Sequence, residues 1–446
     1  MQKVRSDLPQ KTIDVLKLEQ AISNLYDEVA ALPNKDDIEI LFIQGLELSL
    51  YEYEQDKLWT DSAERYNYSE GSVPKLLAHL NLSRERFRSH FNLCFVFLVP
   101  LFALKYLMRR APDFFDWRSG VLEFAMDAKQ VEQESQRIWL EGDYAEYLIW
   151  TPQQRYRLIL EIQATLEEYQ QPLESNPLSK YSYLDLLVEQ GNLFDACKNY
   201  TPALSVYEKA IAIYPNLYPA WYNRGNALNA LGRKEAAISS YEEAIAINSY
   251  KHEAWNNRGS VLNALGRNEA AISSYDKAVA IKPDDHYAWY GRGIALNALG
   301  RNEEAITSYD KAVAIKPDDH YAWYGRGVAL FDLGRNEEAI TSYDEAIAIN
   351  SYKHEAWSNR GNALFDLGRN EEAIASYEEA IAIKSDYYQA WYNKACCYAL
   401  WSRVETAIEN LERAIELNLK YREKAKTDAD FDSIRQDERF RALVGE

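Results

Sequence analysis

One pattern of apolar and polar positions recurs every 34 residues between about residues 218 and 421. Each copy holds two stretches in which apolar residues follow helical spacing, separated by a short polar turn. A tryptophan stands at the same place in every copy: Trp221, Trp255, Trp289, Trp323, Trp357 and Trp391. A fixed period of this length predicts an array of helix pairs that bury their apolar faces only by stacking on their neighbours.

Residues at the ends of the predicted helices support this assignment. Gly300 follows Leu299 at a place where a helix C-terminus favours a residue in the left-handed conformation. The segments Pro283–Asp285 and Pro317–Asp319 each stop one helix and supply an N-cap for the next. Gly293 is small enough to let the two helices of its repeat approach closely.

The repeat resembles that of the tetratricopeptide repeat (TPR) family. The family's tryptophan, glycine, leucine, alanine, aromatic, alanine and proline positions hold Trp289, Gly293, Leu296, Ala305, Tyr309, Ala312 and Pro317. The resemblance covers nearly half of the chain and implies a mainly α fold, a right-handed α-solenoid. We count seven repeats, starting at about residues 184, 218, 252, 286, 320, 354 and 388. The first is degenerate, with Leu187 at the tryptophan position, and the last has Ala395-Cys-Cys-Tyr in place of Arg-Gly.

The TPR resemblance implies that the first helix of each repeat lines a concave groove. Carried onto this sequence, the expected partner-binding positions are Tyr222, Asn223, Asn226, Asn256, Asn257, Asn263, Tyr290, Asn297, Tyr324, Phe331, Asn359, Asn362, Tyr392 and Asn393. Further positions on the same faces are Asn229, Ser260, Ile294, Val328, Asp332, Ser358, Phe365, Asp366 and Cys396. Tyrosine area and asparagine amides suit an extended peptide. The alternative is that near-identical repeats simply copied their surface residues together.

The charged side chains and histidines of the array are a second group of candidate binding residues. The family's carboxylate clamp, which uses Lys and Arg on first helices, is not evident, because the expected groove set contains neither. One arginine per repeat (Arg224, Arg258, Arg292, Arg326 and Arg360) is expected to pair with acids such as Glu242, Asp276, Asp310, Asp344 and Glu378, and not with an acidic ligand. The histidines His252, His286, His320 and His354 form a ladder. Stacked helices lie ~8–10 Å apart whereas zinc–nitrogen bonds measure ~2.0–2.1 Å, so we expect no metal.

The first third of the chain has a different pattern. Helical spacing covers residues 13–32, a strand is predicted at Ile38–Ile43, a helix at Pro74–Phe91, a fully buried strand at Leu93–Val99, a helix at Leu101–Arg110 and a third strand at Val121–Phe124. This alternation favours a small α/β unit over roughly residues 35–127.

A second resemblance concerns the stretch from Phe97-Leu-Val-Pro to Gly120-Val-Leu-Glu-Phe. It looks like a segment that precedes TPR arrays in cyanobacterial and other bacterial signalling proteins, where longer relatives carry it inside an NTPase-like domain. The phosphate-binding loop of such domains is missing, because Gln44-Gly-Leu-Glu-Leu follows the first predicted strand and no G-x-x-x-x-G-K-[ST] occurs. The resemblance therefore implies a degenerate domain that no longer binds nucleotide.

The expected domain boundaries follow from these patterns. We expect an α/β module at 1–127, a helical connector and linker at 128–183, seven repeats at 184–421 and a C-terminal capping helix at 422–446. Helices are predicted at 129–140 and 152–171, and the proline-containing stretch Gln170–Ser179 is the predicted linker. In the tail, Phe431, Ile434, Phe440 and Leu443 are expected to cover the open apolar face of the last repeat.

Composition narrows the choice of compartment and partner. A formal net charge of −19 makes nucleic acid a poor partner. The four cysteines form no C-x-x-C pair, which suits a reducing compartment. The N-terminus shows no signal-peptide pattern. The apolar run Leu93–Leu104 falls short of the ~20 residues that span a bilayer. We therefore expect a cytoplasmic protein that does not insert into membranes.

The sequence favours an interaction scaffold over an enzyme. It contains no recognisable catalytic nucleophile, metal-spaced cluster or phosphate loop, and the abundant carboxylates are typical of a solvated surface. We expect no cofactor, a protein or peptide partner in the groove, and docking or self-association through the N-terminal module. The rival hypothesis is a regulatory or defence-signalling protein with an NTPase-like N-terminal domain and a TPR sensor.

Overall fold

The fold is taken from a computed structural model, which describes residues 8, 10–46, 48–50, 75–99, 107, 128–169 and 177–445. The chain divides into two compact units, residues 1–233 and 234–446. The expected helix at Leu101–Arg110, the expected strand at Val121–Phe124 and most of the segment with the second resemblance lie outside the described residues.

The first unit opens with a three-stranded parallel sheet. Strands β1 (Ile13–Lys17), β2 (Ile40–Gln44) and β3 (Cys94–Leu98) lie in the order β1-β2-β3, with Ile13 opposite Ile40 and Ile40 opposite Cys94. Helix α1 (Leu25–Ala30) separates β1 from β2, and helix α2 (Lys75–His90) precedes β3. This region confirms the predicted strand at 38–43, the predicted helix at 74–91 and a strand within 93–99.

Two expectations for this region were wrong. Residues 13–32 do not form one helix, because Ile13–Lys17 pairs with β2 and the helix begins only after Asn24, whose side chain accepts from the Asp27 N–H. An apolar set this short fits both a strand and a helix period, and the available partner strand decides between them. Strand β3 is not fully buried, since both of its ends, Cys94 and Leu98, are exposed.

From residue 128 onward, the described part of the first unit is helical. Helices α3 (Ala128–Glu141) and α5 (Pro152–Glu168) confirm the predicted connector helices, whereas α4 (Tyr144–Ile149) was not predicted. The next three are α6 (Pro177–Ala196), α7 (Tyr200–Ile213) and α8 (Tyr218–Ala230). Helix α6 starts inside the predicted linker, seven residues before the expected start of the first repeat at 184. The proline itself explains this start, because proline is well tolerated in the first turn of a helix.

The second unit is built from helix pairs and ends in a tail. Its helices are α9 (Lys234–Ile247), α10 (His252–Ala264), α11 (Asn268–Ile281), α12 (His286–Ala298), α13 (Asn302–Ile315), α14 (His320–Asp332), α15 (Asn336–Ile349), α16 (His354–Asp366), α17 (Asn370–Ile383), α18 (Tyr388–Leu400) and α19 (Val404–Leu417). Helices α20 (Lys420–Thr427) and α21 (Glu438–Val444) flank a short 3-10 segment, Ala429–Ile434. The first helices α8 to α18 start at the residues predicted from the 34-residue period.

Helix ends in the array follow the predicted chemistry. Asp285 and Asp319 each accept hydrogen bonds from two backbone N–H groups at the start of the next helix. Gly300 has φ of +72°, and the Arg301 N–H donates to the Leu296 carbonyl at 3.0 Å, as in a Schellman cap. These contacts fix where each repeat begins and ends, and so keep the first helices in register.

Side-chain size sets the distance between the paired helices. A Cβ on Gly293 would lie 2.6 Å from the Tyr309 ring, so that ring packs directly on the backbone of the first helix. Ala305 and Ala312 are fully buried. The tail closes the last repeat: Phe431, Ile434 and Phe440 are buried in one cluster with residues of α18 and α19, and Leu443 packs against it. The predicted packing of these tail residues is confirmed.

Candidate partner-binding surface

The first helices of the second unit lie side by side. Helix α10 contacts α12, and equivalent contacts join α12 to α14, α14 to α16 and α16 to α18. Among the described residues of this unit, no two successive second helices contact each other to a comparable extent. The first helices are therefore the more closely spaced row, and their free side is called the inner face below. In the first unit, α6 and α8 make the corresponding contact.

The expected partner-binding residues all lie on first helices. Tyr222, Asn223 and Asn226 lie on α8 in the first unit, and the other eleven lie on α10 to α18 in the second. All except Tyr392 are half-buried, which is the exposure expected of side chains that lie against a helix surface with one side free. Tyr392 is only 1% exposed and does not belong to an open surface.

Two pairs of asparagines on successive first helices are hydrogen-bonded, one pair in each unit. In the second unit, Asn362 Oδ1 accepts from the Tyr377 hydroxyl at 2.9 Å and from Asn393 Nδ2 at 2.8 Å. In the first unit, the residues five periods earlier do the same: Asn192 Oδ1 accepts from the Tyr207 hydroxyl at 3.1 Å and from Asn223 Nδ2 at 2.8 Å. These amides hold neighbouring helices together and have fewer bonds left to offer a partner.

The two middle repeats differ at the same positions. Where Asn362 stands, α12 and α14 carry Ile294 and Val328, and where Asn393 stands they carry Gly291 and Gly325. A Cβ on Gly325 would lie 2.7 Å from Cζ of Tyr309 and 3.0 Å from its hydroxyl oxygen. The Tyr309 hydroxyl thus reaches the place that an asparagine side chain takes in other repeats.

Tyr290 and Tyr324 supply the aromatic part of the inner face. Tyr290 packs on Tyr309 with ring centroids 6.1 Å apart, and Tyr324 packs on Tyr343 at 6.0 Å. The Tyr324 hydroxyl accepts from Asn359 Nδ2 at 3.0 Å. Burial raises the pKa of Tyr290 and of Tyr324 to about 12, so both hydroxyls stay protonated at neutral pH and are able to donate.

Lysines also lie at this surface, which sequence reasoning missed. Lys353 Nζ lies 4.6 Å from the Tyr324 ring centroid and 5.2 Å from that of Tyr321, within the range of a cation–π contact. Lys353 replaces the N-cap aspartates of the two preceding repeats, Asp285 and Asp319, and that change of charge was the available signal. Lys353 is not one of the expected groove positions, because it lies at the N-cap just before α16.

The tail covers the end of the inner face at α18. The Tyr392 hydroxyl donates to Asp428 Oδ2 at 2.6 Å, and Lys424 Nζ lies 4.3 Å from the Tyr392 ring centroid. A cavity of about 200 Å³ remains beside them, with Phe331 and Phe365 among its walls. Tyr392 and Cys396 are therefore tail contacts in this structure, and the freely accessible part of the inner face ends before them.

One group of three metal-capable side chains occurs among the described residues: Cys396, Asp428 and Asp430, whose ligand atoms lie within 4.8 Å of one another. Burial, followed by the charges of Asp430 and Asp428, raises the pKa of the Cys396 thiol well above its ordinary value. Both Asp428 oxygens already accept hydrogen bonds, from Tyr392 and from the Asp430 N–H. These candidate metal ligands are already used in packing the tail against the last repeat, and Lys424 adds a positive charge beside them.

The arginine ladder pairs with acids, as expected. Arg258, Arg292, Arg326 and Arg360 bond to Glu242, Asp276, Asp310 and Asp344 at 2.6–2.8 Å, and each also donates to a serine of its own repeat. Two partners differ from the expectation: Arg224 pairs with Glu208, and Glu378 pairs with Lys394. In the ladder of histidines, His252 and His354 lie beside Glu253 and Glu355.

Family profiles match most of the helix pairs. A profile described as "TPR repeat" matches residues 295–334, 328–368 and 361–399. Profiles described as "Tetratricopeptide repeat" match residues 184–252 and 222–286, and residues 388–421. Together these ranges cover just over half of the 446 residues. The chain belongs to the tetratricopeptide repeat family. TPR arrays generally mediate protein–protein interaction.

Several solved TPR structures are similar to this chain. YrrB, described as "a TPR protein with an unusual peptide-binding site", is 22% identical, with 42% of this chain and 97% of that chain covered and a TM-score of 0.39. A tetratricopeptide repeat protein from Parabacteroides merdae ATCC 43184 is 19% identical, with 53% and 93% covered and a TM-score of 0.42. MamA is 24% identical, with 37% and 96% covered and a TM-score of 0.35. Sequence identities and TM-scores this low carry no information on the partners of this chain.

No curated protein was found to match the TPR chain. Of the helices in the described ranges, none combines the length and the apolar composition that crossing a bilayer requires.

Proposed function

We propose that this protein is a non-enzymatic scaffold that binds a peptide or protein partner on the inner face of its TPR array. The observation that supports this most is the pair Tyr290 and Tyr324, half-buried at equivalent places on two first helices in contact with each other. Rigid aromatic side chains in register bury a large area at little entropic cost when a partner binds. Of the residues named from the family's groove positions, the ten on α10 to α18 other than Tyr392, which the tail covers, are the proposed surface of the second unit. Tyr222, Asn223 and Asn226 are proposed separately as binding residues of the first unit.

Loss of these two tyrosines is expected to weaken partner binding at least tenfold. Peptides are first selected on the immobilised full-length protein from a phage-displayed library of unconstrained 12-residue sequences. Their affinities are then measured by fluorescence polarisation for the wild type and for Tyr290→Ala/Tyr324→Ala. Removing two aromatic contacts worth about 1–2 kcal/mol each gives the expected loss.

The matched control is Tyr250→Ala/Tyr352→Ala. These tyrosines lie in the turns before α10 and α16 and are 84% and 81% exposed. Their replacement should leave peptide affinity unchanged, and circular dichroism should show both double variants to be equally helical. Equal affinity of the wild type and Tyr290→Ala/Tyr324→Ala would place the binding surface elsewhere.

A second candidate function is that of a regulatory or defence-signalling protein with an NTPase-like N-terminal domain. The feature that favours it is the parallel sheet, in which β2 is followed by Gly45 at φ of +85°, close against the Leu18 carbonyl. Ligands of parallel sheets bind at this carboxyl edge. Against it, the Gln44–Leu46 turn offers no lysine and no glycine-rich run to hold a phosphate.

The scaffold proposal predicts no nucleotide binding. Isothermal titration of the full-length protein with MgATP and with MgADP is expected to give only heats of dilution. Saturable binding at micromolar concentration would favour the regulatory candidate.

The domain division at 127, 183 and 421 remains part of the proposal, as do self-association through the N-terminal module, a cytoplasmic location and a bacterial type of TPR protein. The acidic net charge of −19 supports the further proposal that nucleic acid is not a partner.

A further inference from the structure

A cavity of about 250 Å³ lies between α5, α6 and α7 in the first unit. Its wall contains Leu187 and Gln190 of α6 and Val206 of α7. Gln163 of α5 and Lys209 of α7 also line it, and both are exposed, so the cavity opens to solvent. Pockets for drug-sized ligands measure ~300–1,000 Å³. This cavity therefore suits a smaller group, the size of a single side chain.

The 34-residue period shows why this cavity exists. The positions of its three wall residues hold a tryptophan, an arginine and a serine one repeat later: Trp221, Arg224 and Ser240. In a complete repeat, the guanidinium carbon of Arg292 lies 6.0 Å from the Trp289 ring centroid, and Arg292 Nη1 donates to the Ser308 hydroxyl at 2.7 Å. The first repeat has smaller side chains at the tryptophan and arginine positions. The space that an indole ring and a guanidinium group fill elsewhere is therefore left open.

Gln190 brings an unpaired amide to this cavity. The residue is only 7% exposed, and in the part of the chain that the structure describes its side-chain amide has no hydrogen-bond partner. Val206, which replaces the serine of the later repeats, neither donates nor accepts through its side chain. A buried amide without a hydrogen bond costs free energy, so such groups are uncommon in folded proteins. A ligand that bonds to Gln190 would remove this cost.

The groups around Gln190 favour an uncharged aromatic ligand. Leu187, Phe194 and Val206 are all buried and form an apolar part of the wall, against which a ring gains by burial. Glu167 and Lys209, which also line the cavity, have opposite charges and so select no net charge. Gln190 Oε1 is an acceptor for a ring N–H.

We propose that this cavity binds an indole ring, whose N–H donates to Gln190 Oε1. The ligand supplies the ring that the first repeat lacks because Leu187 stands at the tryptophan position. This inference goes beyond the proposed scaffold function, because the cavity belongs to the first unit and contains none of the residues of the proposed inner-face surface. The indole is supplied either by a tryptophan side chain of a protein partner or by a free indole compound, and both sources share the same chemistry.

The test compares two probes on the full-length protein by fluorine NMR. One is an N-acetylated, ring-fluorinated tryptophan amide, and the other is the same compound methylated on the ring nitrogen. We expect the first to bind saturably and the methylated probe to bind about fivefold more weakly, because a neutral hydrogen bond contributes a few-fold to an affinity. N-acetyl-leucinamide should not compete.

Gln190→Leu removes the acceptor and nearly keeps the size of the side chain. This variant should bind the two probes equally, and its melting temperature should be unchanged or higher, because an unpaired buried amide is lost. The matched control is Gln153→Leu, at an exposed position of α5 outside the cavity, which should keep the wild-type preference for the probe with the N–H.

Leu187→Trp/Gln190→Arg/Val206→Ser copies the second repeat and should fill the cavity, so it should bind neither probe. If circular dichroism shows that this triple variant does not fold, the comparison with Gln190→Leu decides. Undiminished binding to the folded triple variant, or equal affinity of the wild type for both probes, would overturn the proposal and leave the scaffold function standing. Free L-tryptophan and a capped Ala-Trp-Ala peptide then distinguish the sources: the tighter ligand shows whether a free compound or a partner's side chain is bound.

Discussion

Replacing Phe431 by alanine is expected to lower the free energy of unfolding of the C-terminal repeat by about 3–5 kcal/mol. The Phe431 side chain is fully buried, with its ring centroid 5.6 Å from that of Phe440 and 5.6 Å from that of Tyr392. Alanine would remove these contacts and leave a cavity between the tail and α18. Urea unfolding, followed by tryptophan fluorescence, measures the change.

The loss should be local, because each repeat of such an array contacts only its neighbours. Hydrogen exchange is expected to accelerate in α18 to α21 and to stay unchanged in α10 to α13. The matched control is Leu419→Ala, which shortens a side chain that is 68% exposed just before α20. A change below about 1 kcal/mol for Phe431→Ala would show that the tail does not close the array.

The second large effect concerns pH and the buried carboxyl groups of α6. Glu189 is 8% exposed and accepts hydrogen bonds from the Tyr147 hydroxyl and from Asn192 Nδ2. Burial raises the pKa of Glu189 from its ordinary 4.5, and burial likewise raises the pKa of Asp185 and of Asp195. An acid with a raised pKa binds its proton more tightly in the folded chain. Its stabilising contribution is therefore complete below the unfolded pKa and is lost as the pH rises through the folded pKa.

Stability of this part of the first unit is accordingly expected to fall as the pH rises from 4.5 towards 8. Each pKa unit of difference between the folded and unfolded states costs about 1.4 kcal/mol. Glu189→Gln removes one titrating group and should flatten the curve of melting temperature against pH, whereas Glu146→Gln, at an exposed position of α4, should leave the slope unchanged. A wild-type melting temperature that rises over this interval would contradict the assignment.

The repeat array was predictable because the same 34-residue pattern recurs along the chain and each copy predicts the same pair of helices. The starts of α8, α10, α12, α14, α16 and α18 coincide with residues counted from the 34-residue period. The same sequence did not predict β1, because five residues such as Ile13–Lys17 carry too little periodicity to separate a strand from a helix before the partner strand is known. Helix α4, with six residues, was missed for the same reason.

The candidate surface was predictable in its position but not in its chemistry. Family positions place the side chains of Tyr290, Tyr324 and Asn362 on first helices, and the structure has them there. Which amides remain free depends on the neighbour that each one meets, and that pairing is decided by packing between repeats. Tyr392 shows most clearly what the sequence could not predict. The tail was predicted to pack on the last repeat, but the hydrogen bond from Tyr392 to Asp428 follows only from the three-dimensional path of the tail.

The central claim is that the inner face of the middle repeats is an open receptor surface for an extended peptide. The crystal structure of the full-length protein with a selected 12-residue peptide tests it most directly. The account predicts an extended peptide lying across α12 and α14, with its side chains against Tyr290 and Tyr324. A peptide bound to the second helices, to the connector helices or to the N-terminal sheet would contradict it.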